Sequence, residues 1–514
     1  MANWLDNAIF YQIYPQSFKD TNADGIGDFQ GIIEKLDYIK GIGCTAIWLN
    51  PCFLSPFGDA GYDVEDFYST APRYGTNEDL KRLFDEVHNR DMHILLDLVP
   101  GHTSIEHKWF KESQKDEKNQ YTNRYIWTDS KWTYPENMDN IRGLSERDGC
   151  CVVNYYSCQP ALNYGFYNVT APWQFSCNSP EAKEMREELK NIMRFWLGMG
   201  CDGFRVDMAA SLVKNDHESK GAIELWQDVR EFLDKEFPNA VMISEWGEPD
   251  KALIGGFHMD FLLPYGSSRY NDLFRCDEPF FSSRGKGDVA EFVAKYLDNC
   301  NKTGGKGFMC IPSGNHDTPR LSHTLHGDEL KIAFAFLLSM PGAPFIYYGD
   351  EIGMKYLENI KSVEGGYKRT GSRSPMQWDN TTNAGFSSAP PEKLYIRQDN
   401  DPSRPTVQNQ LADKNSLLNE VKKLIEVRQS EHALQGGGGI EFVYAKKEQY
   451  PLAYIRTDGE NRILVVINPS EKEASFDCEY KIEEAVYNFG KAVVCENGRL
   501  TAAGQSAGFY RIVK

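Results

Sequence analysis

The sequence is short of positive charge. Its 514 residues include 56 Lys and Arg against 74 Asp and Glu, a formal net charge of −18. Nucleic acid and anionic membranes select for basic patches, so neither is expected as a partner. Long apolar runs are also missing. The one uncharged run that approaches membrane-span length, Ile332 to Gly349, contains Pro341, Gly342 and Pro344; it reads as a buried helix, a turn and a strand. The opening MANWLDNAIFYQIYP has no basic segment followed by an apolar one, so no signal peptide is expected and the expected compartment is the cytoplasm. The 12 cysteines include no CxxC pair, which fits reduced, mostly buried thiols better than a disulfide scaffold. Gly25-Ile26-Gly27 is no dinucleotide fingerprint, because no strand leads into it and its acidic turn repels phosphate. No organic cofactor is expected.

What is present is core material. Hydrophobic residues make up 41% and aromatics 13%, which excludes a disordered chain. At roughly 150 residues per unit the length allows about three units. Short apolar runs recur at Ala8–Tyr14, Thr45–Leu49, His93–Val99, Gly203–Met208, Val241–Glu245, Phe257–Leu262, Phe308–Pro312 and Pro344–Tyr348. They read as strands buried on both faces. Amphipathic stretches lie between them, such as Glu184–Gly198 with Met185, Leu189, Ile192, Met193 and Trp196 at helical spacing. Repeated strand–helix units imply parallel pairing, and eight strands point to an α/β fold, a (β/α)8 TIM barrel, with an open doubly wound sheet as the alternative. Residues 1–100 and 174–434 are expected to form the barrel. The polar, Tyr- and Asn-rich residues 101–173 are expected to form a domain inserted after the third strand, and residues 435–514, beyond Gly436–Gly439, a C-terminal antiparallel β-sandwich. The long polar stretch Lys355–Pro405 suits a wall or lid.

In such a barrel the reacting groups sit at the C-terminal strand ends. Strand three runs Asp97-Leu98-Val99-Pro100-Gly101-His102, strand four Gly203-Phe204-Arg205-Val206-Asp207, strand five ends Ser244-Glu245-Trp246, and strand seven leads into Gly314-Asn315-His316-Asp317. One Asp or His alone reads as structural. Several converging on one mouth read as chemistry.

The segments DLVPGH, GFRVD, ISEW and GNHD resemble, in order, the four signature regions of the α-amylase superfamily of glycoside hydrolases. GYDVEDFYS, QPALN, GAPFIYYGDEIG, SPMQWD and AGFS extend the resemblance toward the α-glucosidase and oligo-1,6-glucosidase branch, which includes sucrose isomerases and trehalose synthases. The resemblance implies Asp207 as nucleophile, Glu245 as acid/base and Asp317 as the carboxylate that grips sugar hydroxyls, with His102 and His316 strengthening hydroxyl contacts in the transition state. Arg205 shares a strand face with Asp207 and is expected to keep it ionised, while Trp246 helps Glu245 hold a proton. Asp59 and Tyr62 match the element that binds and stacks on the terminal glucose. Arg373 matches an arginine expected to pair with such a carboxylate and block the far end of the pocket.

Oxygen ligands at alternate positions in Asp20-Thr-Asn22-Ala-Asp24-Gly-Ile26-Gly-Asp28 suit Ca²⁺, although Gly31 stands where an EF-hand places its bidentate Glu. The resemblance implies a structural Ca²⁺ held by Asp20, Asn22, Asp24, the Ile26 carbonyl and Asp28. Three positions depart from the family. Gly101 replaces an Asn, which argues against a calcium site at the junction with the inserted domain. Ala161 replaces an Asp. Met208 follows the nucleophile, where Val accompanies α-1,6 preference and smaller or hydroxylated residues α-1,4, so linkage is left open.

The expected function is a retaining exo-α-glucosidase for short, neutral malto- or isomalto-oligosaccharides, as a monomer or weak homo-oligomer. The alternatives are transfer to a sugar hydroxyl, as in sucrose isomerases and trehalose synthases, and a non-catalytic relative, which loses the carboxylates retained here.

Overall fold

Eight parallel strands, all shorter than the apolar runs that announce them, form the central sheet of the computed structural model, which describes residues 3–143, 145–264, 267–285, 288–365 and 369–513. They are β1 (Phe10–Ile13), β2 (Ala46–Leu49), β3 (His93–Leu98), β4 (Gly203–Val206), β5 (Val241–Ser244), β6 (Met259–Phe261), β7 (Phe308–Cys310) and β8 (Phe345–Tyr347). The order is β7-β6-β5-β4-β3-β2-β1-β8. A parallel bridge from Pro312 to Phe345, with the Ser313 N–H donating to the Phe345 carbonyl at 2.8 Å, closes β7 onto β8. The sheet is therefore a barrel, and the open-sheet alternative is excluded.

Alternation along each strand sorts the side chains. Phe10, Trp48, Leu95, Ile243, Met259, Phe261 and Phe345 fill the interior as one cluster, while Ile47, Ile94, Phe204, Val206 and Met242 join the larger core beneath the helices. Arg205 and Asp97 share the inner-face parity, and the same step carried past the strand ends places Asp207 and Glu245 over the mouth. Asp260 has the opposite parity and sits behind the sheet.

Helices Asn77–His88, Pro180–Met199, Lys220–Glu236, Val289–Thr303 and Asp328–Ser339 cover the barrel. Pro180–Met199 shows why such segments start and stop: Ser179 caps the first turn, Pro180 begins it, and Gly200 ends it in the left-handed region at φ +119°. Gly198 lies inside the helix.

The chain between β3 and Pro180 carries the short hairpin Asn140–Arg142/Cys150–Val152. C-terminal to the barrel, a five-stranded antiparallel sheet faces a three-stranded one across a core that includes Ile455, Leu464, Phe476 and Leu500. The opposite face of the larger sheet, with Tyr454, Val465 and Phe509, joins the main core. Among the described residues no helix is long and apolar enough to cross a membrane.

Candidate active site

A cavity of about 520 Å³ opens over the C-terminal ends of the barrel strands, and Asp59, Tyr62, His102, Asp207, Glu245 and Asp317 are among its lining residues. Arg205 organises its base from below. Its Nη1 donates to Asp97 Oδ1 at 2.8 Å and to Asp207 Oδ1 at 3.0 Å, and its Nη2 lies 2.7 Å from Glu245 Oε2. Asp207 and Glu245 also lie within hydrogen-bonding reach of each other. Burial and the neighbouring Glu245 push the Asp207 carboxyl well above its ordinary range, with Arg205 opposing them. The expectation that Arg205 simply keeps Asp207 ionised is thus incomplete. The guanidinium serves both carboxyls.

Met208 adopts a left-handed backbone (φ +44°) that turns its N–H toward Glu245 Oε2 at 3.2 Å. A bulky residue in that region is strained, a feature concentrated at functional sites.

A second layer sets the first. His316 Nδ1 faces two amide nitrogens, Gln12 Nε2 and Asn50 Nδ2, both at 3.1 Å, which makes Nδ1 the acceptor and Nε2 the protonated nitrogen. Nε2 lies 2.8 Å from the Tyr62 hydroxyl, which donates to Asp97 Oδ2 at 3.0 Å. Trp48 Nε1 donates to the same oxygen at 3.1 Å. Burial lowers His316 to about 3 and His102 to about 4, so both rings are neutral near pH 7. Burial lifts Asp97 to about 6 against the pull of Arg205. His102, Asp59 and Tyr62 line the cavity, as expected. Arg205, His316 and Arg373 are buried behind it and act through the groups they hold. Gln12, Asn50 and Asp97 were missed as members of this network, although alternation along β1 and β3 already places Gln12 and Asp97 on the inner face.

The far end of the pocket requires a correction. Arg373, expected to pair with the glucose-binding carboxylate, instead lies 2.7 Å from Asp317 Oδ1 and 3.1 Å from Glu364 Oε2. Arg369, four residues earlier, forms the ion pair with Asp59 and reaches Asp317 Oδ1 at 2.9 Å. The irregular backbone of the 355–405 stretch decides which arginine reaches the cavity, and no periodicity encodes that. Gln159 completes the Asp59 environment, donating at 2.7 Å. Burial raises Asp59, with Arg369 opposing; for Asp317 burial is outweighed by His316, Arg373 and Arg369, which hold it below the ordinary carboxylate range.

At the junction with the inserted chain, Lys214 Nζ donates to Asn154 Oδ1 at 2.8 Å and to the Ser211 carbonyl at 2.7 Å, while Asn154 Nδ2 donates to the Gly101 carbonyl at 2.8 Å. A Cβ at residue 101 would meet Asn154 Nδ2 at 2.8 Å. An ammonium group thus occupies the junction, and desolvation lowers it to about 8.

The acidic loop lies elsewhere. Side-chain oxygens of Asp20, Asn22 and Asp24 accept the N–H two residues on, at 3.0, 2.9 and 2.8 Å, in successive Asx turns. Asp28 caps helix Phe29–Glu34 through the Gly31 N–H at 2.7 Å. Gly25 has φ +90°, and a Cβ there would lie 2.2 Å from the Lys393 carbonyl, so the loop closes against the chain only with glycine. Burial, and to a smaller extent Asp20, raise Asp28. The donor set is all oxygen and suits a hard cation. Among the described residues no three His, Cys, Asp or Glu side chains form a ready-made metal cluster, so a cation here needs Asn22 and the Ile26 carbonyl as well.

Residues 12–437 match the family model described as alpha amylase, catalytic domain, and residues 440–510 match that of the maltogenic amylase C-terminal domain. The trehalose synthase/amylase of Mycolicibacterium smegmatis is 31% identical, over 88% of this chain and 81% of that protein. The oligo-1,6-glucosidase of Parageobacillus thermoglucosidasius is also 31% identical, over 92% of each chain. The crystal structure of trehalulose synthase from Pseudomonas mesoacidophila MX-45 superposes with a TM-score of 0.83 at 27% identity, covering 100% of both chains.

Proposed function

The chain belongs to the α-amylase family of glycoside hydrolases, and we propose that it is a retaining, exo-acting α-glucosidase that releases glucose from short, neutral α-glucosides. One observation carries this reading: Asp207 and Glu245 are close enough to share a hydrogen bond, both touch Arg205, and the Asp59–Arg369 ion pair forms part of the wall of the same pocket. Inverting enzymes separate their two carboxyls by roughly 6.5–9.5 Å to admit water. A hydrogen-bonded pair leaves no such gap.

The chemistry follows from the contacts. The reaction requires Asp207 as the ionised nucleophile, its charge stabilised by Arg205, and Glu245 as the proton donor. Asp207 Oδ attacks the anomeric carbon as the bond to the leaving oxygen breaks, and Glu245 gives its proton to that oxygen. Glu245, now a carboxylate, takes a proton from water, whose oxygen displaces Asp207 and restores the α configuration. Asp317, held ionised by Arg369 and Arg373, accepts hydrogen bonds from glucose hydroxyls, and Asp59 binds the terminal glucose at the closed end. Neutral His102 contributes a hydroxyl contact without adding charge.

Asp207→Asn is expected to abolish glucose release from an aryl α-glucoside, and a 5-fluoroglucosyl probe is expected to label Asp207 in the unmodified enzyme. Retained turnover in the variant refutes the nucleophile assignment. The likeness to trehalose and trehalulose synthases supports a second reading, in which the glucosyl group passes to a sugar hydroxyl instead of water. Maltose, isomaltose, trehalose and sucrose, tested with anomeric product detection, decide between them: α-glucose supports hydrolysis, and an isomeric disaccharide overturns it.

The same reading places a structural Ca²⁺ in the loop of Asp20, Asn22, Asp24, Ile26 and Asp28, remote from the reacting carboxyls, and assigns the enzyme to the cytoplasm. The all-oxygen donor set supports the first. The free, mostly buried cysteines, which suit a reducing compartment, support the second.

A further inference from the structure

Behind the acid/base, on the opposite face of the sheet, lies a carboxylate that the reaction scheme does not use. Asp260 is the middle residue of β6 and is wholly buried. Its Oδ1 accepts the Ser244 hydroxyl at 2.6 Å, the Trp246 N–H at 3.1 Å and the Gly247 N–H at 3.3 Å. These three residues are the ones immediately before and after Glu245. On the other side, the Glu245 N–H donates to the Val206 carbonyl at 2.9 Å, and the Glu245 carbonyl accepts from Ala209 at 3.2 Å. The acid/base is therefore strung between β4 in front and one carboxylate oxygen behind. Gly247, at φ +77°, lets the chain curl around that oxygen.

Burying a carboxylate here is costly, and the rest of its surroundings do little to offset that cost. Among the described residues Asp260 Oδ2 has no hydrogen-bond partner and Asp260 forms no ion pair. Burial raises Asp260 to about 7 despite the donors on the turn. An apolar residue at this outward position would pack without any of these costs. What the carboxylate provides in return is a three-pronged grip on the turn that carries Glu245.

We propose that Asp260 is a positioning residue for the acid/base: it holds the Ser244–Gly247 turn so that the Glu245 carboxyl meets the glycosidic oxygen. This rests on the assignment of Glu245 as acid/base. Displacing a catalytic group by about 1 Å costs on the order of 10²-fold in rate, and the loss falls on the step that needs the proton.

Leaving-group dependence separates this role from a merely structural one. Asp260→Asn preserves shape and one acceptor oxygen but removes the charge that strengthens the three bonds. It is expected to lower kcat on isomaltose or maltose by 10- to 100-fold with little change in KM. On 2,4-dinitrophenyl α-glucoside, whose leaving group needs no proton, the loss in glycosylation rate is expected to stay below about threefold. Ser244→Ala removes one of the three bonds, leaves the buried charge in place and is expected to show the same asymmetry in weaker form; it also keeps the test open if Asp260→Asn folds poorly. Glu245→Gln, measured in parallel, is the reference. If Glu245→Gln is asymmetric while the folded Asp260 and Ser244 variants lose equally on both substrates, or lose nothing, the positioning role is overturned. If Glu245→Gln itself shows no asymmetry, the acid/base assignment fails first.

Discussion

Arg369 and Asp59, 310 residues apart in sequence, form a buried ion pair in the wall of the pocket. Arg369 also touches Asp317, so one guanidinium ties the glucose-binding carboxylate to the one that grips hydroxyls. Removing one partner of a buried pair costs about 3–5 kcal/mol, because the other charge is left uncompensated. Arg369→Ala is therefore expected to raise KM for disaccharides at least tenfold. It is also expected to narrow the preference for disaccharides over maltohexaose, because that part of the wall is gone. Comparing kcat/KM on the two substrates checks this; an unchanged ratio means that something else closes the pocket.

How much of this was legible beforehand depends on which force places each residue. The eight strands read correctly because a parallel sheet covered on both faces demands short apolar runs, and the amphipathic helical stretches between those runs give the barrel its alternation. Asp207 and Glu245 stand out in the sequence through the motifs GFRVD and ISEW, and strand alternation puts Asp207 on the same face as Arg205. The choice between Arg369 and Arg373 was not legible, since an irregular loop lets either arginine reach the site. Asp260 was passed over for a different reason. A lone Asp in an apolar strand carries no motif, and its partners are backbone N–H groups that no residue type announces.

Glu351 gives a pH-dependent stability with a definite sign. It is wholly buried and accepts the hydroxyls of Tyr11 and Tyr38, both at 2.7 Å, through Oε1. Burial raises its carboxyl from 4.5 to about 7 despite these donors. A carboxyl raised on folding binds more protons in the folded state between those two values. Stability is therefore lost as pH rises from about 4.5 to about 7, by at most about 3 kcal/mol. Glu351→Gln keeps the Oε1 acceptor and cannot ionise. It is expected to raise Tm by a few degrees at pH 8 and to leave it nearly unchanged at pH 4.5. Equal Tm values for variant and parent at pH 8 would refute the buried charge.

Lys214 has the opposite chemistry. Its ammonium is lowered from 10.5 to about 8 by desolvation, so between those values the unfolded chain binds more protons and stability rises with pH. Lys214→Met removes this contribution and also strips Asn154 Oδ1 of its donor. The difference in Tm between parent and variant is expected to move in the parent's favour from pH 8 to pH 10. A pH-independent difference would show that the ammonium is solvated.

The calcium assignment is tested through stability, because the loop lies away from the reacting carboxyls. A cation that binds only the folded state raises Tm with its concentration. EDTA treatment is expected to lower Tm by several degrees, with recovery in millimolar Ca²⁺. Asp24→Ala, which removes one ligand while leaving the buried Asp20 and Asp28 intact, is expected to abolish the response. If EDTA has no effect on metal-saturated parent enzyme, the internal Asx turns alone hold the loop.

The joint between barrel and β-domain rests on two buried arginines that, among the described residues, have no carboxylate partner. Arg456 donates to the carbonyls of Ser339, Leu434, Gln435, Gly438 and Gly439, and Arg428 donates to those of Leu338, Met340 and Gly342. Ser339 ends the helix Asp328–Ser339, and Leu338 and Met340 flank that end, so both guanidinium groups satisfy carbonyls that a helix terminus leaves unpaired. Burial lowers Arg428 to about 9 and Arg456 to about 10, which measures what placing these charges there costs. Lysine carries the same charge on a single nitrogen and cannot span five acceptors. Arg456→Lys is therefore expected to destabilise the protein by about 2–4 kcal/mol, since several buried carbonyls lose their donors. The loss should centre on the joint, so cleavage by a protease at residues 435–440 should quicken before the barrel itself unfolds. Urea denaturation followed separately by limited proteolysis and by tryptophan fluorescence would show this order. Coincident transitions in Arg456→Lys, at the parent's midpoint, would mean that apolar packing between the two units holds them without the arginine clamp.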